Sequence, residues 1–229
     1  MTKLNCAVCE REVGYMGQIN LADGKFICKY CANKAIPYFE PERCTLQQYY
    51  ENLKQNEIGQ RLYEAYFHKN GTLIKLCDNR ILYDPGTALI CIVGEQGAIL
   101  DRKKYYNVFM LADLVKYESV NRFVRTAKGA NEQVTCLLLT FENVSEGISS
   151  YRVETDENAI KKQIKVLDRA LAGLPLDAFG RINRIKALFH ISNKKMQANE
   201  ATANKAKNSN DYREKLRKIA KAAIDEACE

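Results

Sequence analysis

With 229 residues, the chain is long enough for one medium-sized domain with attachments or for two small domains. Apolar residues make up 46% of it and charged residues 28%, which excludes a disordered, collagen-like or low-complexity protein. The formal net charge is +7, and no apolar run approaches the roughly 18 residues that a membrane-spanning helix needs.

The nine cysteines are informative about redox state and metal binding. The first residues lack the apolar stretch of a signal peptide, so we expect a cytoplasmic protein. Because the cytosol keeps thiols reduced, these cysteines favour free thiols and metal ligands over disulfides.

Four of the cysteines form two Cys-x-x-Cys pairs near the start of the chain: Cys6 with Cys9, and Cys28 with Cys31, with eighteen residues between the pairs. This spacing is typical of a four-cysteine zinc site, in which two tight turns bring four thiolates to one tetrahedral ion. The sequence therefore predicts one Zn²⁺ bound by these four side chains.

The residues around the second pair predict how the chain returns to the first. Asp23-Gly24 is a hairpin signal, and the short run Lys25–Ile27 after it reads as a strand that leads into Cys28. A helical turn over 32–36 should follow and end at Pro37. We expect residues 1–36 to form a zinc ribbon or treble clef.

This zinc ion would be structural. Thiolates fill all four coordination positions, so none remains for water or substrate. A module of this size cannot bury enough apolar surface to fold alone, and metal binding would supply its folding energy. Two other interpretations stay open, a pair of redox-active dithiols and a set of unrelated buried cysteines.

The same residues resemble a known family. The segment resembles the N-terminal four-cysteine zinc-binding domain of bacterial and phage proteins of uncharacterised function. The resemblance lies in a Cys-x-x-Cys pair, a glycine-containing loop and then Asp23-Gly24-Lys25-x-Ile27-Cys28-Lys29-x-Cys31. In that family a β-rich region similar to the pleckstrin-homology-like barrel follows, with a phrase that resembles Phe109-x-x-x-Asp113-Leu114-Val115-x-Tyr117-Glu118. The resemblance covers residues 4–36 and 70–172. It implies a fold and the four zinc ligands, and it brings no catalytic residue.

Residues 37–70 predict a helical connector. Thr45 is a suitable N-cap, with Gln48 at the capping-box position. Apolar residues then recur at three-to-four spacing up to Phe67. Gly59 either divides this helix in two or marks the point where strand structure has already begun.

Residues 71–174 change to short β-rich runs separated by turn signals. The predicted strands are Leu73–Cys77, Arg80–Tyr83, Ala88–Val93, Tyr105–Leu111, Leu114–Val120, Phe123–Ala127, Val134–Phe141 and Tyr151–Val153. Strands that follow one another without helices favour an antiparallel barrel or sandwich. A helix capped by Thr155 or Asp156 and ended by Gly173 should then close its open end, as in a pleckstrin-homology-like domain. The predicted fold class is α+β.

Three further cysteines, Cys77, Cys91 and Cys136, fall within the apolar strand runs. We interpret them as small core residues, with a second metal site as the alternative.

Residues 175–229 predict a basic helical tail. The segment 181–229 has twelve basic and six acidic side chains, which accounts for most of the net charge. Its final helix has an apolar stripe: Tyr212, Leu216, Ile219, Ala220, Ala223, Ile224 and Ala227. Three surfaces would satisfy that stripe: the chain's own domain, a partner or second copy of the chain, or, least expected, an anionic membrane.

These features predict a non-enzymatic adaptor that recruits a protein partner. The two histidines, His68 and His190, have no ligand or nucleophile-base spacing, and no phosphate-loop sequence occurs. The alternative is a nucleic-acid-binding protein that uses the zinc module and the basic segment 181–229. An enzyme with its site in the β domain is a third hypothesis.

Overall fold

The computed structural model describes residues 4–35, 39–96, 103–125, 129–144, 147–174, 176 and 204–228. The N-terminal part contains two small hairpins and one helical turn. These elements are β1 (Leu4–Asn5), β2 (Glu12–Val13), β3 (Gln18–Asn20), β4 (Phe26–Cys28) and α1 (Lys29–Ala32). β1 pairs with β2 and β3 with β4, both antiparallel. The helical turn lies earlier than predicted because Cys28 itself caps it; Ile36 and Pro37 lie outside the described residues.

The helix predicted after Thr45 is confirmed as α2 (Leu46–Leu62). The Thr45 hydroxyl accepts a hydrogen bond from the Gln48 amide at 3.2 Å, and the Gln48 side chain accepts one from the Thr45 amide at 2.9 Å. This capping box satisfies two amides that the first helical turn cannot pair internally. A single π-helical turn over Tyr63–Phe67 continues the helix.

Gly59 lies inside α2 and does not break it. The backbone of Tyr106, in strand β8 (Lys103–Met110), approaches the helix so closely at this point that a side chain on Gly59 would collide with the Tyr106 carbonyl oxygen. The Tyr63 ring stacks on the Tyr106 ring, with centroids 3.6 Å apart. The glycine is therefore required by packing, which the sequence pattern alone cannot show.

The β-rich region forms two antiparallel sheets. The first has four strands in chain order: β5 (Ile74–Leu76), β6 (Ile81–Asp84), β7 (Leu89–Gln96) and then β8. The second has the order β11-β10-β9, from β9 (Leu114–Arg125), β10 (Asn131–Phe141) and β11 (Ser150–Glu154). Both contribute side chains to one hydrophobic core, where the Phe109 and Phe141 rings stack at 4.3 Å and Tyr151 packs against Phe109 at 5.4 Å.

The barrel alternative is wrong for the described part of the chain, because neither sheet closes on itself or pairs with the other. The physical reason lies between β8 and β9, where a 3₁₀ turn over Leu111–Asp113 carries the chain from one sheet to the other. The turn's three residues are buried, so the sheets meet through side-chain packing at this corner.

The break predicted between Val120 and Phe123 is also wrong, since β9 runs without interruption to Arg125. β10 pairs with it along this length, and Asn121 accepts a hydrogen bond from the Thr135 hydroxyl at 3.3 Å. The sequence pattern leaves the polar residues 121 and 122 between two predicted strands, but the ladder to the neighbouring strand continues through them.

The helix predicted to follow the last strand is confirmed as α3 (Glu157–Leu171). Asp156 is its N-cap and accepts from the amides of Asn158 and Ala159. Its apolar face is buried against the core, and Gly173 follows with a φ of 71°. Gln163 lies on that face and accepts a hydrogen bond from the Cys77 thiol at 3.0 Å.

The C-terminal helix, α4 (Asn204–Cys228), packs on its own chain against α2, β8 and the 3₁₀ turn. Its small and apolar side chains at Leu216, Ala220 and Ala223 are buried. Of the three surfaces that the sequence allows for its apolar stripe, the helix thus uses the chain's own domain. The short helix expected around 182–191 and His190 lie outside the described residues. None of the described helices has both the length and the apolar character that crossing a membrane requires.

A partly buried ion-pair cluster connects α4 to the sheets. The Arg217 guanidinium donates from Nε to Asp113 at 3.0 Å and from Nη2 to Glu142 at 2.6 Å. Asp113 is buried and also accepts from the Asn143 side chain at 3.1 Å. The carboxylate of Asp113 raises the pKa of Arg217, which keeps the guanidinium charged.

Replacing Gly59 tests the close contact between α2 and β8. Glycine to alanine inside a helix ordinarily stabilises a protein by about 0.5–1 kcal/mol, but we expect Gly59→Ala to lower the free energy of unfolding by roughly 1–3 kcal/mol because the methyl group meets the Tyr106 carbonyl. Urea unfolding followed by circular dichroism measures the change. The exposed control Glu57→Ala should stay within about 0.5 kcal/mol of wild type. A more stable Gly59→Ala protein would contradict this packing.

Arg217→Ala tests the attachment of α4. It leaves the buried Asp113 carboxylate without its cation, and we expect the free energy of unfolding to fall by roughly 1–3 kcal/mol. The matched control is Lys218→Ala, an exposed cation one residue along the same helix. Equal stability of the two variants would show that α4 is not held through Asp113.

Candidate metal centre

The structure brings the four predicted ligands together. The sulfur atoms of Cys6, Cys9, Cys28 and Cys31 all lie within 4.8 Å of one another, and Cys9 Sγ is 3.7 Å from Cys28 Sγ. Four sulfurs at about 2.3 Å from a tetrahedral ion stand roughly 3.8 Å apart. Cys9 is half-buried and the other three cysteines are buried. The four side chains can therefore hold one metal ion.

The first pair is held by a tight turn between β1 and β2. The Cys6 amide donates to the Arg11 carbonyl at 2.9 Å, and the Glu10 amide donates to the Cys6 carbonyl at 2.9 Å. Glu10 has a φ of 60°, in the left-handed region that lets the chain reverse directly after Cys9. Cys6 and Cys9 consequently point to the same side of the turn.

The second pair follows the β3–β4 hairpin. Gly24 has a φ of 75° in the predicted Asp-Gly turn, and the Leu21 amide donates to the Lys25 carbonyl at 2.7 Å. β4 ends at Cys28, and Cys31 falls in the first turn of α1. The Cys31 amide donates to Cys28 Sγ at 3.4 Å, so the start of the helix orients a partial positive charge towards the sulfur.

Hydrogen bonds donated by backbone amides link the two hairpins and fix one cysteine pair against the other. The Cys28 amide donates to Cys6 Sγ at 3.2 Å, and the Ala7 amide donates to the Phe26 carbonyl at 3.1 Å. The relative position of the two pairs is thus set by main-chain atoms as well as by any ion.

The charge on the sulfurs favours a cation at the centre. Burial opposes ionisation of Cys6, but amide donors from Cys28, Cys9 and Val8 outweigh it and lower the pKa of this thiol to about 6. Burial and the neighbouring sulfur atoms raise the pKa of the Cys31 thiol. Four thiolates this close repel one another, and a divalent ion would offset half of their combined charge.

Helix α2 makes two hydrogen bonds to the N-terminal part of the chain that holds the four cysteines. The Tyr49 hydroxyl is buried and donates to the Cys31 carbonyl at 2.9 Å, and the Tyr49 ring packs edge-on against Phe39 at 5.6 Å. The Asp23 carboxylate accepts from the Leu46 amide at the start of α2, at 3.2 Å. That donor and the Lys25 amide outweigh desolvation and lower the pKa of Asp23.

Sequence reasoning missed these supporting roles. The sequence pattern places Tyr49 among the apolar residues of a helix and Asp23 in a turn, but neither pattern indicates a partner on another element. The useful signal for Tyr49 is that its hydroxyl needs a hydrogen-bond acceptor when the ring is buried.

Two of the cations near the site surround an exposed ring. The Arg11 guanidinium lies 5.5 Å and the Lys34 ammonium 5.0 Å from the centre of the Tyr30 ring, which is 59% exposed. The Lys25 ammonium is 3.7 Å from Asp23. These side chains make the surface of the module aromatic and basic.

The remaining candidate ligands do not form a second site. Cys77, Cys91 and Cys136 are separately buried, which confirms their interpretation as core residues. His68 makes a surface pair with Glu64, Nδ1 to Oε2 at 3.0 Å. Within the part of the chain that the structure describes, no other group of three or more metal-ligating side chains has suitable spacing.

Part of the chain matches a known family model. A family model described as "Domain of unknown function (DUF4428)" matches residues 5–56. This segment spans the four cysteines, both hairpins and the first part of α2, which agrees with the contacts between Tyr49 and the centre. No curated protein and no solved structure matches the chain.

Serine substitution tests the centre. We expect the purified wild-type chain to contain about one metal ion and Cys31→Ser to retain far less, because a hydroxyl is a poor replacement for a thiolate ligand. The Cys31→Ser chain should also melt at a lower temperature by circular dichroism, as should wild type treated with a chelator.

Two controls separate metal loss from general damage. Cys228→Ser changes an exposed cysteine outside the cluster. Cys91→Ser changes a buried cysteine of β7, which lies in a second cluster of buried side chains together with Leu62 and Tyr106. Both should keep the metal, although Cys91→Ser should lose stability. Equal metal content in Cys31→Ser and wild type would contradict the assignment.

Proposed function

We propose that the chain is a non-enzymatic, zinc-containing adaptor that recruits a protein partner. The observation that carries this proposal is the cluster of four sulfurs within 4.8 Å. A single ion bound there has a complete tetrahedral shell, with no position for water or substrate. Such a site serves as a scaffold for the surface around it.

Zinc is the metal that this ligand set favours. Tetrahedral four-sulfur sites select zinc or iron–sulfur chemistry, and two Cys-x-x-Cys turns around one ion are typical of structural zinc. Three buried sulfurs and the amide donors to Cys6 and Cys28 suit a closed structural site. When bound, the ion would supply folding energy to the N-terminal hairpins.

We infer that residues 71–174 have a pleckstrin-homology-like order of strands and closing helix, built as two packed sheets that do not close into a barrel in the described part of the chain. The inference is supported by an antiparallel four-stranded sheet followed by a three-stranded sheet, and by α3 directly after the last strand. Helix α3 buries its apolar face in the core that the two sheets share.

The buried acids have structural partners, which supports a non-enzymatic role. Asp84 accepts from the Gly86 amide at 3.0 Å and from the Thr87 hydroxyl at 2.8 Å. Asp113 is occupied by Asn143 and Arg217. Buried carboxylates of catalytic sites are instead aimed at space for a substrate.

Two contacts weigh against the nucleic-acid alternative. Arg213 donates to the Ala112 carbonyl at 3.3 Å and Arg217 is paired with Asp113. Both arginines were among the basic residues of segment 181–229 that would have contacted phosphates. Their side chains hold α4 on the chain's own domain.

Capture of partners by the full-length, zinc-loaded chain tests the proposal. After nuclease treatment, we expect to recover a protein that co-elutes with the chain on size-exclusion chromatography in a fixed stoichiometric ratio. The absence of any such protein would contradict the adaptor function. A salt titration with labelled DNA and RNA is the second arm, since steep weakening of binding with salt would indicate phosphate contacts and the alternative function.

A further inference from the structure

Strand β9 has a long unpaired edge. It is the last strand in the order β11-β10-β9, and among the described residues only β10 pairs with it. Its twelve residues, Leu114–Arg125, make it about twice as long as a usual strand, and they include neither proline nor glycine. β11 ends level with Val120, so the second half of β9 extends beyond it. The main-chain groups of such an edge can pair with a further strand.

The strand register shows which side chains share a face along this edge. Tyr117 lies opposite Leu139 of β10, which is buried in the core, so the odd-numbered residues 117–123 lie on the core side of the sheet. Phe123 lies on this side, beyond the core, and is 74% exposed. The even-numbered residues lie on the outer face and include Glu118 and Arg122, with side chains 43% and 42% exposed.

The charged groups on the outer face can bind further partners. The Lys116 ammonium is 2.7 Å from the Glu118 carboxylate, whose two oxygens can accept from a second cation. The Arg122 guanidinium lies 3.9 Å from Glu154, which is a long contact for a group with five N–H donors. Glu118 and Arg122 are thus available for an additional ion pair at the edge.

Two-fold symmetry limits how a second copy of the chain could pair with this edge. Adjacent copies of β9 would run antiparallel about an axis perpendicular to the sheet. Residues directly opposite each other in a sheet lie on the same face. Each even-numbered residue of β9 must therefore lie opposite an even-numbered residue of the second copy, and one residue lies on the axis.

One of these registers matches unlike charges. With Val120 on the axis, Glu118 lies opposite Arg122 of the second copy, and the symmetry repeats this pair on the other side of the axis. On the core side, Tyr117 then lies opposite Phe123 of the second copy. Opposite charges and aromatic side chains are both favourable cross-strand pairs.

The neighbouring registers lack this match. An axis at Ser119 places Lys116 opposite Arg122, and an axis at Glu118 or at Arg122 places that charge opposite its own copy. Like charges directly opposite each other destabilise a sheet. An axis at Asn121 pairs no unlike charges. The sequence of β9 is therefore self-complementary in the single register that is centred on Val120.

The aromatic pair would cover a large apolar side chain that the monomer leaves exposed. The Tyr117 hydroxyl donates to Asp168 of α3 at 2.6 Å, so its ring is held beside the edge. Phe123 has its ring largely in solvent, and pairing with Tyr117 of the second copy would remove part of it from water. Burial of aromatic surface contributes strongly to association.

We propose that the chain forms a two-fold symmetric dimer by antiparallel pairing of β9 with β9 of a second copy, with Val120 on the axis. The two three-stranded sheets would join into one continuous sheet of about six strands, a common size. This inference is independent of the proposed adaptor function. The dimer would present two copies of the metal centre.

Charge reversal tests the register. In sedimentation velocity of the full-length, metal-loaded chain, we expect wild type to form a dimer as its concentration rises. Glu118→Arg and Arg122→Glu each place like charges opposite each other at both sites, and each should weaken dimerisation about tenfold or more. An equimolar mixture of the two variants should dimerise again, because unlike charges then meet at both sites.

Matched variants make this experiment specific. Lys161→Glu reverses an exposed charge on α3 and should dimerise like wild type, whereas Phe123→Ala should weaken dimerisation several-fold. Circular dichroism and metal content verify that each variant is folded.

Disulfide cross-linking tests the axis without changing a charge. In a Cys228→Ser background, which removes an exposed thiol, Val120→Cys should give a covalent dimer on mild oxidation. Val124→Cys should not, because in the proposed register its two copies stand about 27 Å apart along the strands.

Three results would overturn the proposal. Wild type could remain a monomer at every concentration, or the mixture of Glu118→Arg and Arg122→Glu could associate no more than either variant alone. Val124→Cys could cross-link as well as Val120→Cys. If the chain is a monomer and captures a protein that Arg122→Glu loses, the edge belongs to that protein and not to a second copy.

Discussion

The structure depends on the convergence of four sulfur atoms from two distant parts of the chain. Each Cys-x-x-Cys turn is short, and the hairpins that carry these turns have strands of only two or three residues. Such hairpins bury too little apolar surface to be stable alone. Main-chain hydrogen bonds align the two pairs, but four thiolates at this separation repel one another unless a cation joins them. An ion bound there would turn two marginal hairpins into a fixed surface.

Helix α2 connects the N-terminal hairpins to the rest of the molecule. At its start, Tyr49 bonds to the backbone of Cys31, and near its end the backbone of Tyr106 lies against Gly59. Beyond the helix, the Tyr66 hydroxyl donates to the Ala223 carbonyl of α4 at 2.9 Å. The cysteine cluster belongs to the same hydrophobic core as both sheets. The metal centre, the sheets and the C-terminal helix are thus connected through one continuous set of contacts.

Local rules predicted the features that depend on neighbouring residues. The spacing of Cys6, Cys9, Cys28 and Cys31 specified the centre, and Thr45 with Gln48 specified the start of α2, because each is a short-range geometric requirement. Features that depend on a distant partner were not predictable. Gly59 read as a helix breaker because the approach of Tyr106 is a tertiary contact. Likewise the polar residues 121 and 122 are left out of the predicted strands, because pairing with β10 is not visible in the sequence of β9.

The central claim is that a zinc ion with four thiolate ligands forms the scaffold of the N-terminal hairpins. X-ray absorption spectroscopy at the zinc edge of the purified chain tests this most directly. The account predicts four sulfur neighbours at about 2.3 Å and no oxygen or nitrogen ligand. A chain that contains no zinc, or a first shell with an oxygen neighbour at about 2.0 Å, would contradict it.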